Sequence, residues 1–553
     1  MKTATKSFLL LTFFILLSNV GRSQTLVPDF AIHFLAGHED VVQKSTIDKN
    51  GNLYFVGSFK SDTLIFGVDT LINQGSNDVF LVKMDSLANV IFAKSFQSIG
   101  AIDVTGLAID ANDNIYLAGQ FKSQMTFGSI VLPESLFFYD IFLAKTDSNG
   151  NALWAKKYSY ASDASIVLDS DQNVYLGGCY YGSLTIPSLQ ETINSAYPDR
   201  MFSLKMDSDG HEKWIKPYGG ILAIDNAQNL YMSGSYSNYI HIGPFYMENI
   251  FPTENHNVYV AKSDSSGSVL WAKTFCKNEH ALLNGASFDT LSNTLLITGT
   301  FKTDTLSFDD IVIHNNGMAD LYIAKLDTSA NVLYAKSYGG YGADYSWGLT
   351  RISPDYTAVL GTAFSDSIQL GDIVIKGGST NSGYGDFFFF VIDNNGVPVW
   401  AKCYPKAETQ SLKSIISDKD GNVIVFGDFS AGKQVVAQTK SAFVSDDPTF
   451  IDQTSIYLIR FKQQSEAQKI AVTAANSIDM YQDIASGTLT INIGNEAAKY
   501  TLKVYSSEGK CQLSKTLNAG TSTLDTGSLP KGLYLVKIES KDHRFNGKFI
   551  QNK

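Results

Sequence analysis

The chain has 553 residues, of which 44% are hydrophobic and 18% are charged; this balance is typical of a folded protein and excludes a disordered one. Its formal net charge of −11 gives no basic face, so nucleic acids and anionic membranes are excluded as expected partners. The 28 Tyr and 35 Phe stand beside Thr, Val and Ile in short runs, which favours strands. A chain of this length exceeds one ordinary core, although a closed repeat array can remain one unit.

The first residues predict a targeting segment. Lys2 and Lys6 precede the apolar run Phe8 to Leu17, which is too short to span a bilayer and has the pattern of a secretory signal peptide. Small residues follow and favour cleavage before Gln24, so the predicted signal peptide is residues 1–23. No cysteine follows the run and no later stretch is long and apolar enough to span a membrane, so we expect neither a lipoprotein anchor nor a transmembrane anchor.

Seven copies of one sequence pattern follow. A first phrase, such as IDKNGNLYFVGSF from Ile47, is followed by a second, such as FLAKTDSNGNALWAK from Phe142. The glycine of the first phrase recurs at an average spacing of about 62 residues, and a period of this size indicates an array or a propeller. Its seven positions are Gly57, Gly119, Gly178, Gly234, Gly299, Gly361 and Gly427.

Each copy predicts four strands. In the second copy they are expected at 104–110, 115–121, 140–147 and 152–158, joined in pairs by Asn/Asp/Gly turns. An insert of about 20 residues between the second and third strands is expected to hold a small ribbon of its own. A twisted four-stranded antiparallel sheet that repeats radially is the blade of a propeller.

The seventh copy lacks its fourth strand. It ends with Ile456 to Gln464, whereas the segment from Phe30, FAIHFLAGHEDVVQKSTID, parallels the junction between the first two copies. We predict that Phe30 to Phe34 is the outer strand of the last blade and covers an edge that would otherwise stay unpaired. The predicted fold is therefore all-β, with a seven-bladed β-propeller over residues 24–469 that is closed by an N-terminal strand.

The repeat residues resemble the SBBP-type β-propeller repeat of secreted bacterial proteins. The matching pattern is D-x-x-G-N-x-Y-x-x-G-x-F followed by F-L-x-K-x-D-x-x-G-x-x-x-W-A-K, and it covers roughly Phe30 to Lys469. The resemblance implies the fold and leaves the activity open, because propellers host many functions.

A second all-β domain is predicted in residues 470–553, which comprise a linker and a small β-sandwich. Apolar and polar residues alternate in 487–493, a hairpin is expected over 500–517, and further strands are expected within 529–540 and 545–550.

This tail resembles the C-terminal sorting domain (type A) of the type IX secretion system of Bacteroidota. The match rests on LKVYSSEGK, on GSLPKGLYLVKI and on the final GKFI, while YQDI stands where the family usually has YPNP. The residues that match the sorting-signal motif are Leu529, Pro530, Gly532 and Tyr534. The resemblance implies that the tail engages the type IX machinery, routes the protein across the outer membrane and is cleaved. The passenger would be released or held on the exterior of the outer membrane, so the protein would be secreted or at the surface of a bacterial cell.

Three of the first turns resemble the start of a calcium-binding loop. An EF-hand loop needs a bidentate Glu at its twelfth position, where this chain has Phe59, Tyr180 and Phe429. Because Asp and Asn also shape turns by bonding their own backbone, turn formation is the favoured interpretation. A structural Ca²⁺ site is the alternative, and no other cofactor is expected. The residues concerned are Asp48, Asn50, Asn52, Asp169, Asp171, Asn173, Asp418, Asp420 and Asn422.

Lysines and tryptophans also recur at fixed repeat positions. We interpret the lysines as solvated residues of the outer strands whose charge discourages edge pairing, and a basic binding stripe is the alternative. The tryptophans indicate packing between blades. The lysine pairs are Lys83 and Lys94, Lys145 and Lys156, Lys205 and Lys216, Lys262 and Lys273, and Lys325 and Lys336; the tryptophans are Trp154, Trp214, Trp271 and Trp400.

Loops that join the fourth strand of one blade to the first strand of the next are expected to gather at one mouth of the propeller channel. An acidic, partly aromatic mouth suits a cation, a sugar or a basic peptide segment; the other interpretation is that the acids cap strand ends. The candidate ligand-binding residues are Glu39, Asp40, Asp103, Asp163, Glu279, His280, Asp344, Tyr345, Trp347 and Glu408.

The sequence thus predicts an exported, non-enzymatic propeller that serves as a binding or scaffold module at the cell surface, with a glycan or protein ligand. The alternative is a polysaccharide-active enzyme with carboxylates at the channel mouth. Glycoside hydrolysis needs two carboxylates about 5 to 9.5 Å apart, a distance that the sequence does not give. The chain contains no HExxH or GxSxG motif, and no catalytic residue is predicted.

Overall fold

The computed structural model contains two compact units, one over Leu26–Gln463, called the large unit below, and one that includes the chain from Gln464 onward. The residues it describes are 25–35, 40–134, 139–194, 200–249, 256–275, 280–377, 385–404, 409–430, 455–464, 478–483, 488–493, 499–506, 509–518, 520–526, 528–530, 532–540 and 544–551. Every regular secondary-structure element in these ranges is a strand, so the described chain is all-β.

The strands of the large unit follow a regular order. After β1 (Thr25–Leu35) come β2 (Val41–Ile47), β3 (Leu53–Phe59), β4 (Thr63–Phe66), β5 (Asp69–Ile72), β6 (Asp78–Met84) and β7 (Val90–Ser98). The second group is β8 (Ile102–Ile109), β9 (Ile115–Phe121), β10 (Met125–Phe127), β11 (Ile130–Leu132), β12 (Asp140–Thr146) and β13 (Ala152–Tyr158). The third is β14 (Ala161–Leu168), β15 (Val174–Tyr180), β16 (Ser183–Ile186), β17 (Glu191–Asn194), β18 (Met201–Met206) and β19 (Glu212–Lys216).

The remaining groups repeat this order. The fourth is β20 (Ile221–Ile224), β21 (Leu230–Tyr236), β22 (Tyr239–Ile242), β23 (Phe245–Glu248), β24 (Asn257–Ser263) and β25 (Val269–Phe275). The fifth is β26 (Ala281–Asp289), β27 (Thr294–Phe301), β28 (Thr305–Phe308), β29 (Ile311–His314), β30 (Asp320–Asp327) and β31 (Val332–Tyr338). The sixth is β32 (Asp344–Ser353), β33 (Tyr356–Ala363), β34 (Ser367–Leu370), β35 (Ile373–Lys376), β36 (Asp386–Asp393) and β37 (Pro398–Tyr404), and the last is β38 (Thr409–Ser417), β39 (Val423–Ser430) and β40 (Ser455–Gln464).

Each of the six full groups builds one four-stranded antiparallel sheet and one hairpin. The first, second, fifth and sixth strands form the sheet, and the third and fourth form the hairpin, as the insert in each copy predicted. Hairpin β10–β11 also pairs with the edge of β7. Within the described residues the large unit thus has seven main sheets. Six have four strands, including the one formed by β38, β39, β40 and β1, and the first has six because β10 and β11 extend it.

The predicted pairing of the first strand with the end of the seventh copy is confirmed. β1 pairs with β40, so that β40 lies between β39 and β1. Lys462 Nζ lies 3.1 Å from Asp29 Oδ1, and the Arg460 guanidinium lies 5.8 Å from the centre of the Phe30 ring. Phe34 is buried, and its ring centre lies 4.8 Å from that of Phe66, so β1 takes part in the core of the neighbouring sheet.

The first strands of the seven sheets contact one another in a cycle: β2, β8, β14, β20, β26, β32, β38 and again β2. A side-chain hydrogen bond joins the two first strands at six of these junctions; at the junction of β20 with β26, the bond to Leu283 comes from Ser235 of β21. The seven bonded pairs are Gln43–Asp103, Thr105–Ala164, Ser165–Leu222, Ser235–Leu283, Asn284–Ser346, Thr350–Ser417 and Ser414–Ser45.

Most first strands contain a β-bulge in the same region. The extra residue is Gln43 in β2, Thr105 in β8, Asn284 in β26, Trp347 in β32 and Lys413 in β38. A bulge leaves one residue out of the ladder and redirects its side chain, and bulges often occur beside functional sites.

The second unit has seven described strands in two sheets. They are β41 (Ile478–Asp483), β42 (Thr488–Ile493), β43 (Tyr500–Ser506), β44 (Cys511–Leu517), β45 (Gly520–Asp525), β46 (Gly532–Glu539) and β47 (Arg544–Gln551). Their orders are β41-β42-β45 and β44-β43-β46-β47. Leu489 and Ile491 of one sheet share a buried core with Leu502 and Val536 of the other, which is how a sandwich is stabilised.

None of the described residues belongs to a helix of the length and hydropathy that crossing a bilayer requires.

Candidate functional site

The aspartate that opens each first turn holds that turn through hydrogen bonds. Asp48 Oδ1 accepts the N–H groups of Asn50 (2.9 Å) and Asn52 (2.8 Å). Its Oδ2 accepts Asn52 Nδ2 (2.7 Å) and the Tyr54 hydroxyl (3.1 Å). A bound cation would have to displace these donors. The carboxylate therefore accepts hydrogen bonds from the backbone that follows it, as in an Asx turn.

The other two turns considered for calcium follow the same pattern. Asp169 accepts the N–H of Asp171 and both the N–H and the side-chain amide of Asn173. In the last sheet, Asp418 accepts the N–H groups of Asp420 and Asn422, the Asn422 amide and the Arg460 guanidinium. Calcium binding at these three turns stays a prediction, with a test given below.

One more group has metal-binding geometry. The ligand atoms of Asp207, Asp209 and His211 lie within 4.8 Å of one another. Asp207 is held by the N–H of His211, by that of Asp209 and by Lys213, and these hydrogen bonds lower its pKa to about 2 against the effect of burial. This turn lies on the exposed surface and resembles the other Asp-rich turns.

The interpretation of the third-strand lysines as solvated residues is wrong. Lys145, Lys262 and Lys325 are only 6%, 8% and 7% exposed. Lys145 Nζ lies 3.6 Å from Asp110, the turn aspartate of its own sheet, and 5.0 Å from the centre of the Tyr116 ring. Burial of a lysine is tolerated here because a carboxylate, a ring face and a carbonyl replace the lost water.

The carbonyl belongs to the next sheet, so these lysines join neighbouring sheets. Lys145 Nζ donates to Ser208 O at 2.9 Å, and the indole N–H of Trp154 donates to the same oxygen at 3.3 Å. Trp214 and Trp271 bond the following sheets in the same way. These contacts agree with the predicted packing role of the tryptophans.

Two of the predicted mouth residues are anchors for loops. Asp40 is buried, and its carboxylate accepts the N–H groups of Lys60 (2.7 Å) and Ser61 (3.1 Å) and the Ser61 hydroxyl (2.6 Å). Asp344 is also buried and accepts four hydrogen bonds, from the N–H groups of Gly340, Phe364 and Ser365 and from the Ser365 hydroxyl.

A different set of residues is accessible on consecutive first strands. Trp347, Lys413, Lys44 and Asp163 are exposed, and Asp103 is partly exposed. They lie on β32, β38, β2, β14 and β8, which are successive members of the contact cycle. We call these five residues the first-strand arc.

The electrostatics of the first-strand arc centre on Asp103. Its Oδ1 accepts the side-chain amide of Gln43 at 2.6 Å. Burial and the charge of Asp163 raise the pKa of Asp103, whereas Lys44 and Lys413 act to lower it. Burial also lowers the pKa of Lys44, against the opposing effect of Asp103. Burial thus acts on Lys44 and Asp103, although both residues remain accessible to water.

Trp347 is the aromatic member of the first-strand arc. The side chain is 53% exposed, and its indole N–H donates to Thr362 Oγ1 at 2.7 Å, which fixes the ring with one face open. Tyr345 is directed elsewhere, with its ring edge against Phe364 at 5.9 Å.

The other predicted mouth residues are less informative. The His280 ring lies 5.2 Å from that of His256, and burial and His280 lower the pKa of His256. Glu39, Glu279 and Glu408 lie outside the described residues. The sequence interpretation missed Lys44 and Lys413. The sequence signal available was that each lysine lies in a first strand, at a position where the other copies have neutral or acidic residues.

Cys179 and Cys511 are free thiols. Burial and Asp163 raise the pKa of Cys179 to about 12, so this thiol stays protonated and is a poor nucleophile at neutral pH. Cys276 lies outside the described residues.

The sorting-signal motif of the tail is part of a strand and its entry turn. Tyr534 in β46 is buried, and its hydroxyl donates to Pro530 O at 2.8 Å. The N–H of Leu529 donates to Thr526 O, and Gly532 opens the strand.

Residues 485–552 match the family model of the secretion system C-terminal sorting domain. The predicted type IX sorting domain is confirmed. The chain is therefore a secreted or cell-surface protein of a bacterium, and its delivery is directed by this domain.

A curated protein with a similar sequence is distantly related to this chain. It is an uncharacterized WD repeat-containing protein of Acanthamoeba polyphaga mimivirus, 22% identical in an alignment of 471 residues that covers 67% of this chain and 33% of that protein. The chain thus spans about a third of the length of this relative.

Similar solved structures share about one residue in ten with this chain. A protein of unknown function from Dyadobacter fermentans is 10% identical, with 62% of this chain and 95% of that chain covered and a TM-score of 0.31. PorZ, a surface component of the type IX secretion system of Porphyromonas gingivalis, is 11% identical, with 95% and 100% covered and a TM-score of 0.16. Phage phi92 endosialidase is 10% identical, with 96% and 87% covered and a TM-score of 0.35.

Proposed function

We propose that residues 24–469 form a closed seven-bladed β-propeller of the SBBP type, made from the seven sheets. The contact cycle of the first strands supports closure, and so does the pairing of β1 with β40. Closure would also give every first strand two neighbours, and a hydrogen bond joins the two first strands at six of the seven junctions. The signal peptide in residues 1–23 would start the export that the sorting domain completes at the outer membrane.

We further propose that this propeller is a non-enzymatic binding module that takes a glycan or protein ligand at the mouth of its channel. The observation that carries this function is Trp347, a half-exposed indole held rigidly by Thr362 beside charged residues of neighbouring first strands. A rigid, partly exposed aromatic ring supplies contact area at low entropic cost and is a frequent anchor of binding sites.

The experiment compares Trp347→Ala with Tyr246→Ala in the purified full chain on glycan and surface-protein arrays. Tyr246 is a matched control because it is 54% exposed but lies on hairpin β22–β23. We expect Trp347→Ala to lower the affinity for the ligands found by about thirtyfold, which corresponds to the loss of an interface anchor that contributes about 2 kcal/mol. Unchanged affinity of Trp347→Ala would refute the proposed site.

One observation favours an enzyme as the second candidate. Burial and the charge of Asp163 raise the pKa of Asp103, as expected for the acid of a pair in which the other carboxyl acts as base. Incubation of bound polysaccharide with the full chain and with Asp103→Asn separates the two functions. Shorter products formed by the parent alone would establish the enzyme. Polysaccharide that stays intact with both proteins would instead support the binding module.

A further inference from the structure

Two lysines of the first-strand arc lack the ion pairs that neutralise two buried lysines of the sheets. Lys145 and Lys262 are neutralised by a turn aspartate at 3.6 and 3.1 Å. Within the described part of the chain, Lys44 and Lys413 have neither a hydrogen-bond partner nor an ion-pair partner within 4.0 Å. An exposed ammonium group that forms no ion pair can donate charge-assisted hydrogen bonds to an incoming anion.

The two lysines are close enough to serve one ligand. They lie on the adjacent strands β2 and β38, which are joined by the hydrogen bond between Ser45 and Ser414 at 2.7 Å. The charges of Lys44 and Lys413 both act to lower the pKa of Asp103, which agrees with their placement on adjacent strands.

The remaining members of the first-strand arc flank this pair. On one side β32 contacts β38 and places Trp347 next in order, where Gly348 packs toward Ile415. On the other side, Asp103 and Asp163 are hydrogen-bond acceptors when ionised and cannot donate. The order around the cycle is one aromatic residue, two cations and two carboxylates.

We propose that the first-strand arc binds a saccharide that carries a carboxylate, such as a uronic or sialic acid residue; this inference rests on the proposed binding function. A sugar ring stacks on Trp347, its carboxylate contacts Lys413 and Lys44, and its hydroxyl groups donate to Asp103 and Asp163. A neutral glycan leaves the lysines without an anion. An acidic peptide offers carboxylates to the lysines but brings the same charge toward Asp103 and Asp163, which is unfavourable.

The test is calorimetric titration of the full chain with short oligomers of galacturonate, mannuronate and sialate, each beside its neutral methyl ester. The ester keeps the ring and the hydroxyl groups and removes only the charge. We expect at least one acid to bind about tenfold or more tightly than its ester, because a charge-assisted hydrogen bond contributes more than a neutral one.

The variants are Lys44→Gln and Lys413→Gln, with Lys336→Gln as the matched control. Lys336 is exposed on β31 and has no ion pair among the described residues. Each of the first two is expected to weaken the acid about tenfold without changing the affinity of the ester, while the control binds as the parent does. Lys44→Arg should retain the acid preference, and thermal melting of each variant identifies any that has failed to fold.

Two results would overturn the inference. Equal binding of an acid and its ester, abolished by Trp347→Ala, would contradict the charge recognition while leaving the binding module intact. Absence of binding to every acid, or tighter binding of polyglutamate than of any acidic sugar, would contradict the ligand class.

Discussion

Replacing Asp320 with Asn is expected to stabilise the large unit at neutral pH. Asp320 begins β30 and is fully buried, yet its Oδ1 accepts no hydrogen bond. In other sheets the corresponding carboxylates bond an N–H group twenty residues downstream: Asp78 accepts that of Ser98 at 2.9 Å, and Asp140 accepts that of Tyr160 at 2.8 Å.

The equivalent donor of Asp320 is taken by another carboxylate. The N–H of Gly340 donates to Asp344 at 2.8 Å, so Asp320 keeps only the contacts of its Oδ2 with Asn316. Burial and the like charge of Asp344 raise the pKa of Asp320 from 3.8 to about 6, although the backbone and side chain of Asn316 act in the opposite direction. The carboxylate of Asp344 is the charged group that acts on Asp320.

The magnitude follows from the difference between the folded and unfolded pKa values. The folded chain holds the proton more tightly, so the unfolding free energy falls as the pH rises from about 4 through about 6. A difference of two pKa units corresponds to about 3 kcal/mol at neutral pH. Because the amide is a weaker acceptor than the carboxylate for Asn316, we expect Asp320→Asn to gain about 1 to 3 kcal/mol.

Urea unfolding of the parent and of Asp320→Asn, followed by tryptophan fluorescence, measures this gain at about pH 7.5 and about pH 4. Most of the gain should vanish at the lower pH, where the folded parent already carries the proton. Asp78→Asn is the control, because the Asp78 carboxylate accepts the N–H groups of Ser98 and Gln74 and its loss should destabilise the large unit. The reasoning is refuted if Asp320→Asn is not more stable at pH 7.5, or if its gain is the same at both pH values.

Three further predictions concern closure, the buried lysines and the turns, and a fourth concerns the tail. Phe34→Ala should cost about 3 to 5 kcal/mol in urea unfolding, because Phe34 belongs to the core that β1 completes; a loss below about 1 kcal/mol would contradict this packing. Lys145→Ala should cost about 3 to 5 kcal/mol by leaving Asp110 buried without its partner, whereas Lys336→Ala should stay within about 0.5 kcal/mol. Excess chelator should leave the melting temperature unchanged if the first turns are held by their own hydrogen bonds, and a fall would instead support calcium there. Tyr534→Ala should unfold the tail and reduce the amount of protein outside the cell in fractionation, and normal export would contradict a structural role for this residue in sorting.

The repeat made most strands of the large unit predictable. Alternation and the Asn/Asp/Gly turns placed the strands of the second copy within two residues of β8, β9, β12 and β13. The absent fourth strand of the last copy indicated that β1 completes the last sheet. Such features depend on the local residue pattern and on the number of strands in each copy, and both can be read from the sequence.

Features that depend on neighbouring sheets were not predictable in this way. The burial of Lys145 requires Asp110, Tyr116 and a carbonyl from the next sheet, and no single copy shows these together. Bulges were missed because they shift the pairing without changing the alternation visible in one strand, so Lys413 was not recognised as accessible. In the tail, β41 and β45 were missed because they are short and polar.

The pairing of β1 with β40 bears on what happens when the sorting tail is removed. β40 leads toward the tail, but it is held on both flanks, and the exposed margin of its sheet is formed by residues from the opposite end of the polypeptide. A protease that cut the chain beyond Gln464 would therefore remove no strand of this sheet. The large unit would keep all of its described strands after its delivery signal had gone.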